Sequence, residues 1–466
     1  VFFNYYDENP IGSARIKNME KKPIEDIEIT FYVKQYMDNP KTCKAPKTLE
    51  PGDEADIDLF ALFTNNLLSI SEGTKVSAQI ETTYTVPAGE CRKETITTLT
   101  IHNRNAMSWD DDRKAAAFVT AKDSSVLKFA KNTAGIVTAN SSPAVNRNLL
   151  LAMGIFTAFK QQGMSYVIDP STPYTELSEN ADAVDFIQFP VQSLEYKAGD
   201  CDDLSILYAA LLEAVGIKTA FITIPGHIYT AFSADIGADQ IETTFSRPED
   251  CIAMDDTAWI PVEVTAIENG FLHAWQLGAK EWREHAAKMQ VGFFPVHEAW
   301  QEYQPVGFDI IQTSLELPET NKIRTAFVKE YTTFVEREIY PQLEKLTEKI
   351  RQGQNYRARN RLGTLYARYG LYEKAAAEFE KVVEQQEFFP ALVNLGNIYY
   401  LDGELEGALE TYRRAAAIRP NNANLQLGIA RANHDLEQYE KTAAAFALVT
   451  QLDPDLAERF SYLDLQ

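Results

Sequence analysis

The stretch Gly199-Asp200-Cys201-Asp202-Asp203-Leu204-Ser205 begins the most informative part of the chain. Apolar side chains follow it at helical spacing, at Leu204, Leu207, Tyr208, Leu211, Leu212 and Val215, and the pattern ends at Gly216. Cys201 therefore lies on the first turn of a predicted amphipathic helix. Unpaired backbone N–H groups and the positive end of the helix dipole stabilise a thiolate there, and the same groups can bind an oxyanion. This pattern predicts a nucleophile at Cys201, with Asp202 and Asp203 as helix-capping residues.

A base and an orienting acid follow Cys201 in the sequence. The β-rich run from Thr219 to Ile224 leads through Pro225 and Gly226 to His227, whose near-neutral pKa suits proton transfer from a thiol. The next β-rich run, 259–265, presents Glu263 between two valines, where a half-buried carboxylate needs a hydrogen-bond donor. An imidazole N–H would satisfy it, so the sequence predicts a triad of Cys201, His227 and Glu263.

This order resembles the transglutaminase-like superfamily, relatives of the papain-type cysteine proteases, over residues 186–265. The resemblance implies thiol-dependent acyl transfer or hydrolysis at amide bonds of protein or peptide substrates, and it leaves hydrolysis and transamidation open. It also implies an upstream side-chain donor for the oxyanion, for which Gln192 and Gln188 are the candidates. The family usually has aspartate where this chain has Glu263. That departure motivates the alternative, a catalytically inactive transglutaminase-like scaffold that acts as a protein-interaction module.

A metal or cofactor site is not expected. The chain contains a group of histidines and glutamates in its middle third, but their spacing matches no known zinc motif. They are His273, Glu281, Glu284, His285 and His297. No phosphate-binding loop or dinucleotide fingerprint occurs.

The first hundred residues have the alternating pattern of β-strands, with Ile27, Ile29 and Phe31 on one face. An Ig-like β-sandwich is the expected fold. Cys43 and Cys91 lie in this region, and the sequence leaves open whether they form a disulfide or stay free. The β-sandwich and the potential disulfide together suggest export, to a periplasmic or extracellular location.

The last part of the chain contains an internal repeat. Leu-Gly pairs begin at Leu362, Leu395 and Leu427, at intervals of 33 and 32 residues. This pattern resembles the tetratricopeptide repeat (TPR), which has a period of about 34 residues. About three units over residues 355–454 are expected, with a concave face that binds a protein partner. Packing against the preceding domain and self-association are the alternatives.

Composition limits the remaining possibilities. The 466 residues are 45% hydrophobic, which excludes a disordered chain, and the net charge of −23 disfavours nucleic acid as a partner. No run of about 18 apolar residues occurs, so we expect a soluble protein without membrane insertion. The predicted architecture is multidomain: an all-β sandwich over 1–103, an α+β papain-like or transglutaminase-like domain over 104–315, and an all-α TPR solenoid within 316–466.

Overall fold

The computed structural model describes residues 2–168, 183–307, 315–353 and 355–464. The chain divides into two compact units. The first comprises Val1–Val137, Leu151–Glu242 and Pro248–Phe327, and the second comprises Thr138–Leu150, Thr243–Arg247 and Val328–Gln466. The first unit holds both the N-terminal strands and the α+β region, and the predicted boundaries near residues 103 and 315 stay predictions.

The N-terminal region is rich in strands, as predicted. Its strands are β1 (Gly12–Lys17), β2 (Ile24–Tyr32), β3 (Lys41–Cys43), β4 (Thr48–Leu49), β5 (Glu54–Leu59), β6 (Thr74–Val86) and β7 (Gly89–Ile101). One sheet has the order β3-β2-β6-β7, with β4 also paired to β2, and β1 pairs with β5 separately. Ile27, Ile29 and Phe31 are all buried, so the alternation read from the sequence does mark the core face.

Cys43 and Cys91 do not form a disulfide. Cys43 is buried in β3, and Cys91 is half-buried in β7. The disulfide that the sequence left open is therefore not formed. Without it, the main reason to expect export falls away.

The α+β region contains a second sheet, which positions the predicted site. The strands of this region are β8 (Ala106–Ser108), β9 (Ser165–Tyr166), β10 (Val184–Phe186), β11 (Ala198–Gly199), β12 (Thr219–Ile224), β13 (His227–Gly237), β14 (Ile252–Met254), β15 (Thr257–Val262) and β16 (Gly292–Pro295). Five of them form an antiparallel sheet in the order β14-β15-β13-β12-β16. The helices are α1 (Ser124–Ala139), α2 (Arg147–Gln162), α3 (Pro190–Tyr196), α4 (Cys201–Glu213), α5 (Ile241–Thr244), α6 (Phe271–Ala286) and α7 (Val296–Ala299).

The helix α4 is more deeply buried than predicted. The sequence indicated an amphipathic helix, but every residue from Cys201 to Leu212 is buried. The Tyr208 hydroxyl donates to the Ala152 carbonyl on α2 (3.0 Å), and Thr230 on β13 contacts the first turn of α4. Neighbours therefore cover both faces, which the periodicity of one helix cannot reveal.

The second unit is helical. It contains most of α8 (Thr320–Arg351), followed by α9 (Asn355–Arg368), α10 (Tyr372–Val383), α11 (Phe389–Leu401), α12 (Leu405–Ile418), α13 (Ala423–Asp435), α14 (Tyr439–Leu452) and α15 (Pro454–Arg459). The six helices from α9 to α14 form three helical hairpins, as the repeat predicted. A Cβ atom at Gly396 would lie 2.5 Å from the ring of Tyr412 on α12, so glycine permits this close helix packing. Among the described residues, no helix is both long enough and apolar enough to cross a bilayer.

Candidate active site

Cys201 is the first residue of α4, as predicted. The residue at the N-cap position is Asp200, whose side chain accepts from the Asp203 N–H at 3.4 Å. Of the two residues predicted to cap the helix, Asp202 accepts from the same N–H through Oδ1 (2.6 Å), whereas Asp203 Oδ1 accepts from the Gln188 N–H. The sequence signal was ambiguous because any of three neighbouring aspartates could serve as the cap. Two hydrogen bonds join this first turn to β13: the Thr230 hydroxyl donates to the Ser205 carbonyl (3.0 Å), and the Ser205 hydroxyl donates to the Ile228 carbonyl (3.4 Å).

His227 is the first residue of β13. The strands β12 and β13 form a hairpin in which Ile224 pairs with His227, and Pro225 and Gly226 make the turn. Gly226 has a φ of +71°, which an L side chain rarely adopts. The imidazole stacks on Tyr229, with ring centroids 5.9 Å apart. This turn therefore delivers the ring at the end of the strand that contacts α4.

Glu263 lies just beyond β15, not within a strand as the sequence suggested. Its backbone N–H donates to the Ala274 carbonyl on α6 (3.0 Å), which takes this residue out of the sheet ladder. Its side chain caps the short 3₁₀ helix Val264–Asn269, accepting from the Thr265 N–H at 3.0 Å and from the Thr265 hydroxyl. One carboxylate oxygen is thus fixed locally and the other is left for a second partner.

The structure brings the three predicted residues together. His227 Nε2 lies 2.5 Å from Glu263 Oε2. The Cys201 thiol is hydrogen-bonded to the His227 ring and to the Ile228 N–H. The order is therefore thiol, imidazole, carboxylate, with the imidazole between the other two groups.

Solvent reaches the three side chains unequally. Cys201 is 4% exposed and Glu263 is 2% exposed, whereas the side chain of His227 is 23% exposed. The imidazole is therefore the most accessible part of the triad, and the sulfur lies behind it in the protein.

Glu263 and His227 form a charged pair. Burial alone would lower the pKa of His227, but its hydrogen bonds with Cys201 and Glu263 outweigh burial and raise this pKa to about 10. Burial would also raise the pKa of Glu263, but the bonds from His227 and Thr265 lower it overall. The electrostatics favour imidazolium beside carboxylate at neutral pH.

The Cys201 thiol differs from the sequence expectation. The helix start was expected to lower its pKa, yet burial raises it, and the Asp200 charge adds to the increase. The His227 ring opposes both effects. A sulfur so far from water is costly to charge, and the sequence could not show that depth.

Three buried carboxylates adjoin Cys201. Asp200, Asp202 and Asp203 each have an oxygen within 4.8 Å of the others, so these residues could hold a cation. Burial, followed by the interactions with Asp200, raises the pKa of both Asp202 and Asp203 well above the usual range. Asp202 is hydrogen-bonded to Asp200, which a shared proton explains.

The two oxyanion candidates occupy different positions. Gln192 is buried, and its side-chain oxygen accepts from the Phe189 N–H (2.9 Å) and from Asn105 Nδ2 (2.7 Å), so the residue closes the start of α3. Gln188 lies against the first turn of α4, because its N–H donates to Asp203 Oδ1 (2.7 Å). Gln188 Oε1 is buried and has no hydrogen-bond partner among the described residues.

Two residues near the triad escaped prediction as part of it. Tyr166 lies beside Cys201 because β9 and β11 pair in parallel, with Tyr166 opposite Gly199. Burial, and then the charge of Cys201, raise the Tyr166 pKa to about 12. Glu281 on α6 approaches His227 and Glu263, with one ligand atom from each within 4.8 Å of the others. No local pattern marks either residue, since both arrive by tertiary contact.

The remaining members of the histidine and glutamate group do not assemble. His297 Nε2 bonds to Glu213 Oε2 (2.8 Å), which gives it a structural partner at the end of α4. In the described part of the chain, neither potential metal-binding cluster includes His273, His285 or His297. Glu281 alone joins one of them, and His227 Nε2 in that cluster is already bonded to Glu263.

Comparison with protein families identifies the C-terminal helices. The model for the tetratricopeptide repeat matches residues 356–388, and a second TPR repeat model matches residues 396–437. The predicted TPR array is therefore confirmed, and such arrays are suited to binding other proteins. No curated protein matches the chain.

Solved structures of MamA are similar to part of the chain. The structure titled MamA AMB-1 has 22% identity and covers 30% of this chain and 75% of its own, with a TM-score of 0.23. The structure titled MamA MSR-1 has 21% identity and covers 38% and 94%, with the same TM-score.

Proposed function

We propose that this chain is a transglutaminase-like cysteine enzyme that cleaves or transfers acyl groups at amide bonds of protein or peptide substrates. The observation that carries the proposal is the position of the His227 imidazole, between the Cys201 thiol and the buried Glu263 carboxylate. The proposed domains are an Ig-like β-sandwich over 1–103, the papain-like catalytic domain over 104–315, and the TPR array within 316–466.

The reaction begins at Cys201. In the reactive state the thiol proton is on His227, most directly on Nδ1, since Nε2 is held by Glu263, and the Cys201 thiolate forms a bond to the amide carbonyl carbon, whose oxygen becomes the oxyanion. The C–N bond then breaks, and the imidazolium gives the proton to the leaving amine. Water resolves the thioester to an acid, or a second amine resolves it to a new amide.

Backbone N–H groups at the start of α4 would bind the oxyanion formed in the first step. Of the two side-chain candidates, we favour Gln188 over Gln192. Gln188 lies against the first turn of α4, whereas the Gln192 oxygen already has two donors.

The TPR array would hold a protein partner or the substrate itself on its concave face. Such a role separates recognition from chemistry, because the repeats and the triad belong to different compact units. The strongly negative chain favours a partner with basic surface regions.

The enzyme proposal is tested by whether the apparent pKa of the Cys201 thiol depends on His227. We would measure alkylation of Cys201 by peptide mapping from about pH 5 to about pH 10 in the wild type and in His227→Ala. Loss of the imidazolium should raise the apparent pKa of the thiol by about one unit or more. His297→Ala, which removes an imidazole from another His–Glu pair, should leave the profile unchanged. Overlapping profiles for wild type and His227→Ala would remove the basis for the proposal.

Two product assays separate the two chemical outcomes. Casein would be incubated with the full chain and a biotinylated primary amine. New peptides would indicate hydrolysis, and incorporated biotin would indicate transamidation. Both must vanish in Cys201→Ala.

A non-catalytic interaction scaffold is the second candidate. The observations that favour it are the 4% exposure of Cys201 and the burial that raises its pKa. A scaffold would bind its partner equally well as wild type and as Cys201→Ala, and its thiol would behave independently of His227.

A further inference from the structure

Glu281 extends the triad by one carboxyl group. It lies on α6, and the face of α6 that carries it is already joined to the site at two earlier turns. The Ala274 carbonyl accepts from the Glu263 N–H (3.0 Å), and the Gly278 carbonyl accepts from the Tyr229 hydroxyl (3.3 Å). Residues four and seven positions after Ala274 share its helix face, so Glu281 continues the same row.

Gly278 explains how α6 comes so close. A Cβ atom at this position would lie 3.1 Å from the Glu263 backbone nitrogen and 3.1 Å from the Pro261 carbonyl carbon. These are backbone atoms, which cannot rotate away as a side chain can. The missing side chain therefore sets the distance at which Glu281, one turn further along, meets the triad.

The Glu281 carboxyl group is placed to share a proton. One of its oxygens belongs to a cluster with His227 and Glu263 in which the three ligand atoms lie within 4.8 Å of one another. Glu281 hydrogen-bonds Glu263, and two carboxylates can do so only if one of them carries a proton. Glu263 already accepts from His227 and Thr265, so Glu281 is the partner that holds the proton.

A buried oxygen of Glu281 points to the same state. Glu281 Oε2 is buried and has no hydrogen-bond partner among the described residues. A charged carboxylate would leave that oxygen unsolvated, which disfavours the ionised form. Burial and, next, the Glu263 charge raise the Glu281 pKa to about 7.

We propose that Glu281 is a positioning residue that controls the charge of His227: protonated, it hydrogen-bonds Glu263, and once ionised it places a second carboxylate beside the imidazole. The proton leaves to solvent, and no other bond changes. The ionised form then holds His227 as imidazolium to higher pH than Glu263 alone would. The charged and titratable groups around Glu281 are Glu263, His227 and Tyr229 from the sheet side and Glu284 from its own helix. This inference deepens the proposed function, on which its catalytic meaning rests.

The test is a titration of His227 by NMR, with histidine-selective ¹³C labelling of the full chain. His227→Ala identifies the signal. In Glu281→Gln only one carboxylate can face the ring, so the imidazolium should be lost about one pH unit lower than in the wild type, a tenfold change in the ratio of imidazolium to imidazole at a given pH. Glu284→Gln is the matched control on the same helix, since the Glu284 side chain is 55% exposed, and it should titrate as the wild type does.

Glu281→Asp keeps an acid and separates charge from folding. It should restore part of the wild-type titration, whereas a purely structural role for Glu281 would leave Asp no better than Gln. Equal titration of His227 in the wild type and in Glu281→Gln would overturn the inference. The proposed enzyme could still stand in that case, because its own test is the effect of His227→Ala on Cys201 alkylation. If that alkylation test fails while Glu281→Gln shifts the titration, only the enzyme proposal is lost.

Discussion

Replacing Glu263 with glutamine removes the negative charge that faces His227 while keeping the size of the side chain. In the wild type, Glu263 Oε2 lies 2.5 Å from His227 Nε2, and the carboxylate is 2% exposed, so water screens this interaction poorly. The substitution should therefore act mainly on the imidazole, whose pKa should fall.

The magnitude follows from the site. The pKa of His227 is raised from 6.5 to about 10 by its bonds with Cys201 and Glu263, against the opposing effect of burial. We assign about half of the increase to Glu263, so its loss should lower the ratio of imidazolium to imidazole at a given pH by roughly fiftyfold. Stability should follow the same pattern. While Glu263 is ionised, the pair stabilises the fold fully below pH 6.5 and loses its contribution as the pH rises through about 10, so Glu263→Gln should destabilise the protein more at neutral pH than at high pH.

The assay is the His227 NMR titration in Glu263→Gln, with thermal unfolding measured on the same samples. Glu213→Gln is a matched control: Glu213 also binds one histidine, His297, and also accepts from a threonine N–H and hydroxyl, those of Thr219. This control should leave the His227 titration unchanged. A pKa that stays near 10 in Glu263→Gln would refute the assignment of Glu263 as the group that charges the imidazole.

Three further predictions concern other parts of the chain. Asp202 keeps its proton in the folded state and loses it in the unfolded state above about pH 4, so the stability of the wild type falls as the pH rises. In thermal unfolding, the stability of Asp202→Asn relative to the wild type should therefore increase from about pH 5.5 to about pH 7.5. A difference that stays constant over this range would argue against the shared proton. Gly396→Ala places a methyl group against Tyr412 and should lower the free energy of unfolding by about 1–3 kcal/mol. Gly407→Ala, in the same repeat, makes only ordinary contacts and should be neutral or stabilising. Equal effects of the two substitutions would contradict this explanation of the packing. Alkylation of the unfolded, unreduced chain should add four labels by intact mass, and two labels would reveal a disulfide.

Local sequence signals were enough to select three residues that the structure brings together. The helical spacing after Cys201, the Pro225-Gly226 turn before His227 and the β-rich run before Glu263 are each short-range patterns, and the structure brings their residues together. The TPR helices could also be predicted from the sequence, because a glycine that lies against an aromatic ring recurs in each unit.

Local sequence patterns did not predict which elements contact one another in the folded chain. The strand before Glu263 ends early because the α6 helix supplies the Ala274 carbonyl as its partner. The thiol pKa rises because neighbours bury α4 on all sides, and Glu281 joins the site only through the close approach of α6. Periodicity reports which face of an element is apolar, but it does not report what covers the opposite face.

The coupling of Cys201 to His227 is the central claim, and thiolate absorbance tests it without a reagent that must reach a buried sulfur. The ultraviolet thiolate signal of Cys201, taken as the difference from Cys201→Ala, would be titrated in the wild type and in His227→Ala. We expect a midpoint about one pH unit or more higher in His227→Ala, because the positive ring no longer offsets burial. Identical midpoints would show that the imidazole does not act on the thiol, and would contradict the account.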